Sequence, residues 1–81
     1  MIIRYFAWVK DITEKDIEEI NKDQPKSINE LKIKLCKLYP SLKKHINNDV
    51  LRYAINKEYT SINQKLTSTD EVAIFPPVSG G

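Results

Sequence analysis

The residues with the clearest chemical potential in this 81-residue chain are its last seven, Phe75-Pro76-Pro77-Val78-Ser79-Gly80-Gly81. Both glycines of the sequence are the final two residues, whereas a domain of ordinary composition would spread roughly six through its length. A Gly-Gly end is bare backbone, thin enough to enter a narrow channel, and the reactive group it presents is the carboxylate of Gly81. Pro76 and Pro77 fix φ just upstream and favour an extended, stiffened stalk. These residue types suit a chain that offers its own C-terminus as a substrate. Gly81 would carry the reacting carboxylate, and Gly80, Ser79, Val78, Pro77 and Pro76 would form the arm that threads. The competing reading is a frayed terminus, but frayed tails are polar and rarely open with Val-Ala-Ile-Phe-Pro-Pro.

No other constellation in the chain suggests catalysis. His45 is the sole histidine and has no Ser, Cys or carboxylate partner in a recognisable motif. Cys36 is the sole cysteine. It excludes an internal disulfide, fits a reducing cytoplasm, and has no second ligand at metal-binding spacing, so it reads as a small hydrophobe at the edge of a helix stripe. A formal charge of +2 is too small to argue for nucleic acid. No run approaches the ~20 apolar residues of a membrane span, and Met1-Ile2-Ile3-Arg4 lacks the features of a secretory leader. Charge is nonetheless segregated: residues 11–23 hold six acids, and residues 32–44 hold five lysines and no acid.

The elements that must position the tail follow from periodicity. Ile2 to Val9 alternates, with Ile3, Tyr5, Ala7 and Val9 on one side and Ile2, Arg4, Phe6, Trp8 and Lys10 on the other, which predicts a strand with large apolar groups on both faces. Phe6 and Trp8 are either part of a surface that a partner covers or side chains packed under a loop. Residues 10–26 read two ways: a short helical face through Ile12, Ile17 and Ile20, or a polar edge strand within Asp16 to Lys22, which the acidic residues favour. Ser27-Ile28-Asn29-Glu30 is a capping box opening a helix with the stripe Ile28, Leu31, Leu35 and Leu38, stopped by Pro40. One helical turn is expected near Leu42 to Ile46. Val50 to Asn56 is a strand with Leu51, Tyr53 and Ile55 inward, Tyr59 to Ile62 a short strand, Leu66 a lone anchor, and Glu71 to Phe75 the last strand, with Val72 and Ile74 inward. One main helix against a mixed sheet of four to five strands predicts an α+β roll. With the first and last strands parallel at its centre, this is the β-grasp arrangement. Residues 1–75 would form a single domain and 76–81 an extended tail.

At the two ends the sequence is similar to a known family. Tyr5-Phe6-Ala7-Trp8-Val9-Lys10, Ala54-Ile55-Asn56, Leu66-Thr67 and Asp70-Glu71-Val72-Ala73-Ile74-Phe75-Pro76-Pro77-Val78-Ser79-Gly80-Gly81 resemble the small subunit of molybdopterin synthase, a branch of the ubiquitin-like β-grasp sulfur carriers. The likeness spans nearly the whole chain and is weakest across residues 11–50. It implies that an ATP-dependent adenylyltransferase of the ubiquitin-activating type adenylates Gly81, and that a sulfur donor protein then converts it to a thiocarboxylate. The tail would deliver sulfur to a cyclic pterin monophosphate in the large subunit, building a dithiolene. It also implies a heterotetramer of two small and two large subunits, catalytic side chains on the large subunit, and no cofactor bound by this chain, ATP being used by the activating partner. Phe6, Tyr59 and Phe75 match positions where the family presents a hydrophobic patch to its partners; Tyr59 replaces a common aliphatic residue, and Trp8 is a bulky variant. Thr69 stands where glycine is frequent, which implies a different turn type.

Three other functions fit parts of the pattern. A thiazole-pathway sulfur carrier would share the Gly-Gly end but not the Pro-Pro stalk. A ubiquitin-like modifier would begin from the same adenylated Gly81. A non-catalytic module could use the lysine-rich helix on an acidic partner, leaving the tail dispensable.

Overall fold

A computed structural model of the chain describes residues 1–60 and 62–77. Strand β1 (Ile2–Tyr5) is followed by helix α1 (Ala7–Thr13), strand β2 (Ile17–Glu19) and the long helix α2 (Ile28–Leu38). A 3₁₀ turn (Pro40–Leu42) and helix α3 (Lys43–Asn47) lead to strands β3 (Arg52–Ile55), β4 (Glu58–Thr60) and β5 (Glu71–Phe75). The five strands form one mixed sheet in the order β2-β1-β5-β3-β4. β1 and β5 are parallel neighbours, with Ile3 opposite Val72 and Tyr5 opposite Ile74, while β3 runs antiparallel to β5 on its other side.

The core lies between the sheet and α2. Ile3, Val72 and Ile74 from the central strands and Leu31 and Leu35 from α2 have no exposed surface. At about 1.5–3 kcal/mol for each fully buried aliphatic side chain, this cluster is the main source of the fold's stability. Leu51, Tyr53 and Ile55 also face inward, as their alternation predicts. The α2 stripe is shorter than its sequence suggests. Ile28, Leu31 and Leu35 are buried, but Leu38 is 45% exposed, because the chain turns away at Tyr39 before Pro40. The N-terminal cap of α2 is present with one shift. Ser27 Oγ accepts the Glu30 N–H at 3.2 Å, while the Glu30 carboxylate accepts the Lys26 N–H at 3.3 Å rather than that of the capping residue itself.

The first strand is half its predicted length. The alternation through Val9 ends in fact at Tyr5, where the chain bends at Ala7 (φ 54°) and enters α1. Val9 and Thr13 are buried, and Trp8 and Ile12 pack at the edge of the core. Positions 8, 9, 12 and 13 therefore share one helical face. Both candidate readings of residues 10–26 hold in part, helix first and edge strand after it. Ile17 is 48% exposed, whereas its neighbour Glu18 is turned inward. The Glu18 Oε1 accepts hydrogen bonds from the Tyr5 hydroxyl at 2.7 Å and the Tyr39 hydroxyl at 2.6 Å. Its Oε2 pairs with Lys15 at 3.3 Å. Burial opposes the charge, but bonds from Tyr39, Tyr5 and Lys15 outweigh it and hold the carboxyl below its ordinary range. An acid with a depressed folded pKa stabilises the fold above its unfolded value, and that contribution fades as pH falls through the folded one. An inward charge on an edge strand also discourages another chain from pairing there.

Six described residues have positive φ, and none is glycine: Ala7, Glu14, Asp23, Asp49, Asn56 and Lys57. Asn56 and Lys57 form the two-residue link of the β3–β4 hairpin, since Ile55 pairs with Glu58. Positive φ at both positions defines a type I′ turn, for which Asn-Gly is the favoured pair. Lys57→Gly relieves the side-chain clash of the left-handed conformation and is expected to stabilise the protein by about 0.5–1 kcal/mol, raising Tm by roughly 2–8 °C. Thermal denaturation followed by circular dichroism reads this directly. An unchanged or lowered Tm would contradict the turn assignment.

Candidate functional site

With α2 covering one side of the sheet, the other side is open. Along β5, Glu71, Ala73 and Phe75 alternate with the buried Val72 and Ile74 and line that open side. Register adds Ile2 and Arg4 from β1, Ala54 from β3 and Tyr59 from β4. Ala54 sits opposite Ala73 and beside Tyr59, so the floor is low and the aromatic groups stand above it. Tyr59 is 64% exposed and Phe6 46% exposed, while Phe75 is half-buried. The Tyr59 and Phe75 rings meet edge to face with centroids 5.4 Å apart, a favourable arrangement for the ring quadrupoles.

The structure therefore brings Tyr59 and Phe75 together and sets Phe6 at the same end of the sheet, its N–H donating to the Ile74 carbonyl at 3.1 Å. Trp8 does not join them. It lies on α1, half-buried at the core, with its ring 4.7 Å from that of His45 on α3. Of the two readings of the Phe6–Trp8 pair, exposure holds for Phe6 and packing for Trp8, because the bend at Ala7 turns the two side chains apart. Pro76 is half-buried and Pro77 exposed, directly after the last residue of β5. The proposed threading and reacting residues Val78, Ser79, Gly80 and Gly81 lie outside the described residues.

The start of β5 is pinned as firmly as its end is open. The Asn56 carboxamide donates to Asp70 Oδ1 at 2.9 Å and accepts the Glu71 N–H at 3.0 Å. Asp70 Oδ2 accepts the Thr67 N–H at 2.8 Å. The bond from the Thr67 backbone, then that from Asn56, hold the Asp70 carboxyl below the usual carboxylate range. The Asp70 N–H closes a turn on the Thr67 carbonyl at 3.1 Å, and Thr69 occupies it without positive φ. This turn needs no glycine. A residue that sequence reasoning passed over also lies on the open face: Arg4, whose Nε is 3.0 Å from Glu71 Oε1.

Among the described residues no group of His, Cys, Asp and Glu side chains is arranged to hold a metal ion, and no helix is long and apolar enough to cross a membrane. Cys36 is half-buried. The lysines of α2 are partly engaged. The Lys32 ammonium lies 5.4 Å from the centre of the Tyr53 ring, and Lys34 donates to the Lys22 carbonyl at 3.5 Å.

A five-stranded mixed sheet with parallel first and last strands, one long helix on one side and an open aromatic face on the other defines a ubiquitin-like β-grasp protein. The ThiS family matches residues 3–81, and the chain belongs to it. It is 40% identical over 83 residues to the molybdopterin synthase sulfur carrier subunit of Dictyostelium discoideum, spanning 98% of this chain and 93% of that protein. It is 30% identical over 79 residues to the molybdopterin synthase sulfur carrier subunit of Escherichia coli (strain K12), spanning 98% and 96%. Its fold superposes on SAMP1 from Haloferax volcanii with a TM-score of 0.78 and 22% identity, over 99% of this chain and 97% of that one.

The open aromatic pair has a stability consequence. Because the Tyr59 ring is mostly solvated and its described aromatic contact is with Phe75, Tyr59→Ala should cost less than about 1.5 kcal/mol of folding stability. Urea denaturation measures this. A loss above about 3 kcal/mol would place the ring in the core rather than on an available surface.

Proposed function

We propose that this chain is a sulfur carrier of the molybdopterin synthase type, with the carboxyl of Gly81 as its working group. The observation that carries the reading is the union of its family membership with the placement of β5. This central strand, held on both sides, ends beside an open aromatic face and runs directly into Pro76-Pro77.

The chemistry asks little of the chain's own side chains. A carboxylate is a poor electrophile. An adenylyltransferase using ATP joins the Gly81 carboxylate to AMP with release of pyrophosphate, which supplies a leaving group. Sulfide-level sulfur delivered by a sulfur donor protein then attacks the acyl carbon, the bond to AMP breaks, and a thiocarboxylate is left, a soft nucleophile that needs no neighbouring base. The arm enters the large subunit of the synthase and yields its sulfur to a cyclic pterin monophosphate; two such transfers complete a dithiolene. The large subunit supplies the catalytic side chains, and this chain binds no cofactor of its own. Phe6, Tyr59 and Phe75 form the docking patch, and two small and two large subunits make the complete synthase. Pro76 and Pro77 limit the conformational entropy lost when Val78, Ser79 and Gly80 are drawn into the channel.

Removing Gly81, or fusing a tag after it, is expected to abolish sulfur transfer in a reconstituted assay while leaving the thermal unfolding curve unchanged, since terminal residues contribute little to the core. An N-terminal tag should be tolerated. Full transfer activity from a chain with a blocked C-terminus would refute the carrier reading.

A further inference from the structure

The open face carries a charged feature beside its aromatic patch. Arg4, Phe6, Lys57, Glu71 and Ala73 line a cleft of about 440 Å³. Arg4 uses only its Nε toward Glu71. Its terminal Nη groups have no hydrogen-bond or ion-pair partner among the described residues, and the arginine side chain is 43% exposed. Lys57 likewise has no ion pair among the described residues, so two cations share the cleft with a single acid. The Glu71 contact orients the guanidinium, and the fork of Nη donors that remains has the geometry for a carboxylate. Unlike Lys10, whose ammonium is already 2.7 Å from Asp16, Arg4 and Lys57 share one carboxylate and keep a net positive charge.

We infer that the cleft formed by Arg4, Lys57 and Glu71 next to Phe6 takes a carboxylate side chain of the protein that covers the open face, and thereby helps select that partner. The inference rests on the docking role proposed for Phe6, Tyr59 and Phe75, and it adds an electrostatic requirement: the partner carries an Asp or Glu within reach of its contact with Phe6. The apolar patch gives area, while the Arg4 fork gives register and discrimination. A partner offering a cation at that point would meet the cleft's net positive charge.

The test is titration calorimetry of the full chain against the large subunit of the synthase, at low and at high salt, with Phe75→Ala as the reference variant. Arg4→Ala is expected to weaken binding roughly 10-fold at low ionic strength and much less at high, because exposed charges are screened by salt. Arg4→Lys, which keeps the charge without the fork, should fall between. Circular dichroism confirms that each variant folds. If Arg4→Ala binds like the parent chain at both salt concentrations while Phe75→Ala is weakened, the carboxylate site is overturned and the docking face stands. If neither variant is weakened, the docking face fails and the inference fails with it.

Discussion

The parallel pairing of β1 with β5 is the constraint on which the rest of this molecule depends. It joins residues 2–5 to residues 71–75, so the ladder closes a loop that contains nearly the whole chain. Ile3 and Tyr5 on one strand and Val72 and Ile74 on the other are buried beneath α2. The same ladder places β5 between two neighbours, so its direction is fixed from both sides. A central strand followed at once by two prolines gives the last residues a defined point of departure, and a bare terminus on a wandering base would have none.

Two polar clusters protect that arrangement at its edges. Glu18 ties β2 to β1 through Tyr5 and to the end of α2 through Tyr39, which secures a strand of only three residues. Asn56 and Asp70 join the β3–β4 turn to the first residue of β5. Both clusters lie away from the aromatic patch, leaving the open face available to a partner. The absence of glycine from every described turn has a physical cost, carried by Ala7, Glu14 and Lys57 in the left-handed region. Glycine is confined to the terminal pair, Gly80 and Gly81.

Much of this was legible in the sequence where pattern and turn chemistry agreed. The last strand, Glu71 to Phe75, appears with its predicted bounds and facing, and the serine cap of α2 is where its box places it. Leu66, named as a lone anchor, is buried, pinned where its N–H meets the Lys26 carbonyl. The first strand was misread because Tyr5, Ala7 and Val9 alternate as a strand would, while Trp8, Val9, Ile12 and Thr13 equally fit a helical face. Nothing local decides between those periods; the bend at Ala7 does, and alanine gives no warning of positive φ. Leu38 fits the apolar spacing of α2 but lies at its last residue, past the point where the sheet covers the helix. The outward facing of Phe75 was legible in the alternation of β5, and Tyr59 and Phe6 are exposed as well. Arg4 was hidden by its ordinary place in an alternating strand, since its ion pair with Glu71 depends on two strands remote in sequence. Trp8, grouped with Phe6 by proximity, was separated from it by one backbone turn.

The central claim is chemical, and intact mass spectrometry tests it most directly. The chain is co-expressed with a ubiquitin-activating-type adenylyltransferase and its sulfur donor, purified without C-terminal modification, and weighed. The expected result is a mass gain equal to one oxygen replaced by sulfur, confined to the peptide ending in Gly81. An unaltered mass under conditions where the same enzymes convert another carrier to its thiocarboxylate would contradict it.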